Sequence, residues 1–144
     1  MRGLMISCLF VLIISGVVDL MPIKNEFAFP FISQKTAPVI AWMREHTGKR
    51  DILLSYPDII DPVVLSGRKN YAGFFGNIGW QDRSEYVRVI YSGDVATAKR
   101  FGIQYILLPQ QKKPDFAFTA EKTVLPTMLP VVYKDTEFVI VSVR

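Results

Sequence analysis

The sequence holds one cysteine and one histidine in 144 residues. A lone Cys8 cannot close an internal disulfide, and a zinc centre needs several Cys or His ligands at close spacing. A disulfide framework and a Cys/His metal site are therefore both excluded. With His46 the sole imidazole, a hydrolytic triad has one place to form, and no G-x-S-x-G elbow accompanies it. No G-x-x-x-x-G-K-[ST] phosphate loop occurs. Gly73, Gly76 and Gly79 do not follow a strand in the order a dinucleotide fingerprint requires, so no cofactor is implied. Charge of one sign is also short. Seventeen basic against thirteen acidic residues give a formal +4. The basic residues are scattered rather than gathered into a stripe, which argues against nucleic acid as a partner. No internal repeat or low-complexity tract is present.

What the chain has is apolar surface, half of all residues. That is too much for a disordered chain, and the length suits one domain. Part of the excess is concentrated. No charged residue occurs between Gly3 and Val18. Sixteen residues at about 1.5 Å each span roughly 24 Å as a helix, and Met1 with Leu20-Met21 bring this near the roughly 30 Å hydrocarbon core. Pro22 ends the run. A secretory signal peptide competes with an uncleaved anchor, but no A-x-A-like site follows Ser15-Gly16. The expectation is a transmembrane helix over 1–22, a linker over 23–35 and a domain over 36–144. Arg2 and the amino terminus place the start of the chain in the cytoplasm and the domain outside it, as a single-pass protein whose first partner is the lipid bilayer.

Beyond the linker, whose Phe27, Phe29 and Phe31 alternate, residues 36–48 carry a helix signature. Thr36 is placed to cap and Pro38 sits in the first turn. Val39, Trp42 and Met43 share a face, and Gly48 is placed to end the helix. His46 then reads as a helix-end charge rather than a base. Asp51–Ser55 reads as a buried strand, and Ile59–Leu65 as a short helix with a strand. Residues 66–82 form a glycine-rich loop with Tyr71, Phe74, Phe75 and Trp80 among its glycines. Arg83–Tyr91 is helical, with Tyr86, Val87, Ile90 and Tyr91 on one face. Asp94 caps a second helix that closes at Gly102. Ile103–Leu108 is a buried strand, 110–118 a loop, and Leu129–Tyr133 with Phe138–Val143 a terminal hairpin. This order predicts an α/β domain with a mixed sheet, parallel within and antiparallel at one edge, finishing in a β-hairpin.

Chemistry is sparse. Asp58 and Asp61 are the closest carboxylate pair, and Pro62 beside them suggests a solvated turn. Asp82-Arg83 suggests a helix cap with its charge partner. The 66–83 segment gathers Arg68, Lys69, Tyr71, Trp80 and Arg83, cations that can hold phosphate beside rings that can stack on sugars. These five are the candidate ligand-binding residues; no catalytic or metal-binding residue is assigned.

Several short motifs run in a set order. They are Gly16–Asn25 directly after an apolar helix, Trp42 with Glu45-His46-Thr47, and Leu65–Lys69. Gly79-Trp80 with Arg83, Ile90–Gly93 and Tyr105–Leu107 follow. This order resembles the carboxyl-terminal end of multi-spanning membrane glycosyltransferases of the GT-C type, mannosyltransferase-like enzymes that use polyprenyl-phosphate sugars. The resemblance implies a last membrane helix leading into a small extracytoplasmic α/β domain. It also implies a multi-spanning subunit or a polyprenyl-phosphate or glycan ligand as partner. The family's catalytic acid lies in an early extracytoplasmic loop with no counterpart here, so the resemblance implies a non-catalytic tail module. A membrane-tethered or secreted binding module unrelated to glycosyl transfer is the other expectation.

Overall fold

The computed structural model describes residues 33–56, 61–73, 80–113 and 116–144, which fall within one compact unit, Ile32–Arg144. The expected membrane helix and nearly all of the linker lie outside the described residues. Among the described residues no helix is long and apolar enough to cross a membrane.

Helix α1, Ala37–His46, has Pro38 in its first turn and buries Val39, Ile40 and Met43. Its ends differ from expectation. Thr36 makes no side-chain cap; its hydroxyl donates to the Ser33 carbonyl at 3.1 Å instead. At the other end Thr47, not Gly48, stops the helix. Its backbone turns extended (φ −120°, ψ 150°) and its hydroxyl donates to the Met43 carbonyl at 2.6 Å. The Gly48 N–H is drawn instead to the Asp51 carboxylate at 2.9 Å.

Strand β1 (Ile52–Leu54) leads to the one-turn helix α2 (Pro62–Leu65) and the two-residue strand β2 (Lys69–Asn70). Helix α3, Trp80–Tyr91, begins three residues earlier than its apolar pattern suggests. It buries Val87, Ile90 and Tyr91. Tyr86, expected on that face, is 43% exposed. Asp94 caps α4 (Val95–Arg100), accepting from the Thr97 N–H at 3.0 Å and its hydroxyl at 2.8 Å. Gly93, at φ 113°, makes the turn between the helices. Strand β3 (Ile103–Pro109) follows, then the short helix α5 (Leu125–Met128) that the sequence pattern does not announce, and the hairpin of β4 (Val131–Lys134) with β5 (Phe138–Ser142).

The sheet order is β2-β1-β3-β5-β4. β1 pairs in parallel with β2 and β3, while β5 runs antiparallel to both β3 and β4. The mixed sheet and terminal hairpin are therefore present. All five residues of β5 are buried, as are Ile103 and the run Tyr105–Pro109 of β3. At about 1.5–3 kcal/mol for each large apolar side chain removed from water, these two strands dominate the core. The edge strand β4 leaves Val131 and Val132 exposed. Trp42 of α1 packs across the sheet on Tyr105 (6.3 Å, edge-on) and Tyr133 (5.5 Å).

Candidate functional site

From β1 the chain steps to β2 on one side, then crosses to β3 on the other. In α/β sheets the crevice outside the carboxyl ends of strands at such a reversal is where ligands bind. Here that end holds a buried polar knot. Asn70, the last residue of β2, donates from Nδ2 to Ser55 Oγ (2.8 Å) and to Asp61 Oδ2, and its Oδ1 accepts from the Ala72 N–H (3.1 Å). Asp61 is 1% exposed and Ser55 fully buried. The Asp61 carboxylate also accepts from the Val63 N–H at 2.9 Å, capping α2. Asp61 is therefore not the solvated turn residue that Pro62 suggests. Pro62 occupies the first turn of a helix and Asp61 its cap, the arrangement that favours proline there. Asp58 lies outside the described residues.

An aromatic cluster neighbours the knot, with Tyr91 near enough to feel the Asp61 charge. Tyr91 meets Phe116 at 4.9 Å, edge-on, and Phe118 at 5.6 Å, while Tyr56 meets Phe116 at 5.9 Å. The Lys113 ammonium lies 5.6 Å above both the Tyr56 and Phe138 rings. Burial, then the Asp61 and Tyr56 charges, push the Tyr91 hydroxyl well above its ordinary pKa. That hydroxyl donates to the Leu107 carbonyl at 2.9 Å. It stays protonated at neutral pH and cannot serve as a base there. Among the described residues no buried side-chain nitrogen or oxygen lacks a hydrogen-bond partner. The knot's work is to hold residues 61–63 and 70–73 in place at the carboxyl ends of β1 and β2.

The five residues singled out from the sequence separate. Arg68 is consumed in structure. Its Nε donates to Thr47 Oγ1 (2.8 Å) and its Nη2 to the carbonyls of Arg44 (2.8 Å) and Thr47 (3.0 Å). Arg44 returns the arrangement by donating to the Leu65 carbonyl at 2.8 Å. Each guanidinium thus covers carbonyls left open at the carboxyl end of the other's neighbouring helix. Lys69 is exposed on the sheet's edge strand β2. Trp80 opens α3, and its side chain lies outside the described residues.

Tyr71 and Arg83 do come together. Arg83 donates from Nη1 to the Tyr71 carbonyl at 3.0 Å, and its guanidinium carbon lies 5.5 Å from the Tyr71 ring centre. Asp82 sits in the first turn of α3 rather than capping it. Three residues join this pair that sequence reasoning left out. Phe101 lies 5.0 Å from Tyr71, Tyr86 lies 5.0 Å from Phe101, and the Arg100 guanidinium sits 5.8 Å over the Phe101 ring. Their only signal in the sequence is the Arg100-Phe101 step before Gly102 and the i, i+3 spacing of Arg83 and Tyr86. Burial raises the Tyr71 hydroxyl pKa while Arg83 opposes the rise.

His46 is a helix-end group, as expected. Its Nδ1 pairs with the Trp42 carbonyl at 3.0 Å and its ring stacks on Trp42 at 4.9 Å. Among the described residues no three His, Cys, Asp or Glu side chains converge as a metal site. The chain matches no protein-family model and no curated protein.

Proposed function

We propose that the chain is a non-catalytic, extracytoplasmic binding module carried on a membrane helix formed by residues 1–22, and that it serves a glycosyltransferase-like membrane assembly. The observation that supports a binding role is the surface cluster of Tyr71, Arg83, Tyr86, Arg100 and Phe101. It presents guanidinium and aromatic groups from three elements to solvent, suited to hold a partner or acceptor. The membrane and glycosyltransferase parts of the proposal rest on the apolar run 3–21 and on the ordered motifs of the sequence.

Two measurements test this reading. A single cysteine placed at exposed Lys112, in a Cys8→Ser background, is labelled in intact cells by a membrane-impermeant maleimide if the domain lies outside. Labelling only after lysis overturns the topology. Any multi-spanning membrane protein encoded beside this chain is then co-expressed with it. Co-purification of the two in detergent supports the assembly. A neighbourhood with no such gene, or a neighbour that does not co-purify, leaves a tethered binding module unrelated to glycosyl transfer.

A further inference from the structure

The two arginines at the aromatic cluster are spent very differently from Arg68. A guanidinium carries five N–H donors. Arg68 engages two of its nitrogens in three hydrogen bonds, Arg83 makes one bond, and Arg100 makes none among the described residues. Ion pairs among the described residues are Lys35–Glu137 and Arg144–Asp51. Neither cluster arginine takes part. Yet both are held, since each has its guanidinium within 6 Å of an aromatic ring in a contiguous row, Tyr71 to Phe101 to Tyr86.

This arrangement has a chemical consequence. A ring beneath a guanidinium shields one of its faces from water and restrains it, while the in-plane N–H groups stay available. Such a cation is suited to a planar fork of oxygens, carboxylate or phosphate, which it can grip bidentately. The acids of α3 nearest to it do not compensate it, since neither Asp82 in the first turn nor Glu85 forms an ion pair among the described residues. Glu85 lies about 200° around the helix from Arg83 and lines an open depression with Arg88, Val89, Ser92 and Asp94 instead. Lys69 and Lys99 flank the cluster in sequence and are exposed, adding positive field without a paired acid. The rings contribute apolar area at the same place: Tyr86 is 43% exposed, and Tyr71 and Phe101 are half-buried.

We propose that Arg83 and Arg100, backed by Tyr71, Phe101 and Tyr86, form a binding site for a phosphate ester whose organic part rests on the rings. The shared chemistry is a phosphate monoester on a sugar or lipid. The inference deepens the binding role proposed above without needing the membrane partner, so the two can fail separately.

The test uses the full chain in nanodiscs, with the Arg83 and Arg100 side-chain Nε resonances followed by NMR. In one arm phosphatidylcholine discs are titrated with glucose 1-phosphate. In the other the discs contain phosphatidic acid in place of part of the phosphatidylcholine. Movement of both resonances in either arm supports the site, and the arm that responds identifies a soluble ester or a headgroup as the source. The variants Arg83→Lys and Arg100→Lys keep the charge and lose the fork, so each should weaken binding about tenfold or more. Arg88→Lys, on the same helix but lining the other depression, should leave it unchanged. Silence of both resonances in both arms overturns the proposal, whatever the variants do. Equal weakening by Arg88→Lys overturns it too, since that is diffuse charge rather than a site.

Discussion

Replacing Asn70 with alanine tests whether the buried knot holds the carboxyl ends of β1 and β2 together. The substitution removes the donor to Ser55 Oγ at 2.8 Å and the acceptor of the Ala72 N–H at 3.1 Å. It also takes from the Asp61 carboxylate, 1% exposed, its amide donor. The two shorter neutral hydrogen bonds contribute about 1 kcal/mol each, the long contacts with the Ser55 N–H (3.3 Å) and the Gly73 carbonyl (3.4 Å) add little, and a buried charged acceptor losing a donor costs about 1–3 kcal/mol. The expected loss is roughly 3–5 kcal/mol, a large share of the roughly 5–15 kcal/mol that holds a typical domain. For a domain of this size that lowers Tm by roughly 10–20 °C. Thermal unfolding of the full chain in detergent, followed by circular dichroism at neutral pH, reads the effect. Asn70→Asp sharpens it by setting a second carboxylate against Asp61. Mutual repulsion raises the folded-state pKa of that pair, so the variant's stability is retained below about pH 4 and lost as pH rises. Its deficit against the wild type should therefore shrink on acidification. A loss below about 1 kcal/mol in Asn70→Ala would refute the reasoning, because then water or the neighbouring backbone replaces the amide without cost.

Three further outcomes follow from the fold. Gly93→Ala should cost about 2–3 kcal/mol in an unfolding titration, since φ is 113° and the new Cβ would meet Val124 Cγ2 at 2.7 Å; Gly102→Ala, at φ 68° with open space around it, should cost about 1 kcal/mol. Arg68→Ala should speed amide hydrogen exchange at the carboxyl end of α1, around Thr47, while Lys69→Ala changes exchange nowhere, because only Arg68 bonds to that helix end. Tyr133 has its pKa raised by burial and by its bond to Asp135; its contribution to stability is present below about pH 10 and lost as pH climbs toward the folded value, so Tyr133→Phe should lose less stability than wild type between neutral and strongly alkaline pH.

The parts of the fold that could be read from the sequence are those whose signal is local. Pro38 with Val39, Trp42 and Met43, the Asp94 cap, and the apolar run of β3 ending at Pro109 each declare themselves within a few residues. The hairpin does so by two apolar runs around a polar turn. β2 could not be read this way. It is two residues long, has one exposed and one half-buried side chain, and exists because β1 offers a partner, with the Tyr71 N–H donating to the Leu53 carbonyl at 2.8 Å. Helix α5 is too short to show a period. Thr36 and Gly48 carry the expected residue types at the expected places, yet neighbouring partners, Ser33 and Asp51, win their hydrogen bonds. Propensity proposes a cap; the nearest better acceptor decides.

The site shows a different limit. A cation satisfied by an acid leaves a complementary charge somewhere in the sequence, but Arg68 is satisfied by carbonyl oxygens, which every residue has. Its partners lie 21 and 24 positions away, so nothing in the pattern of charges distinguished it from Arg83. Asn70 is equally silent, its partners Ser55 and Asp61 being 15 and 9 positions distant and brought near by strand order. What separates a structural arginine from a binding one is how many of its donors the fold consumes. By that measure Arg68 leaves the list of candidate contacts and Arg100 enters it. The loop that looked like one cluster in sequence therefore divides in space. One part braces α1, and the other, with Tyr71 and Arg83, faces outward beside Arg100.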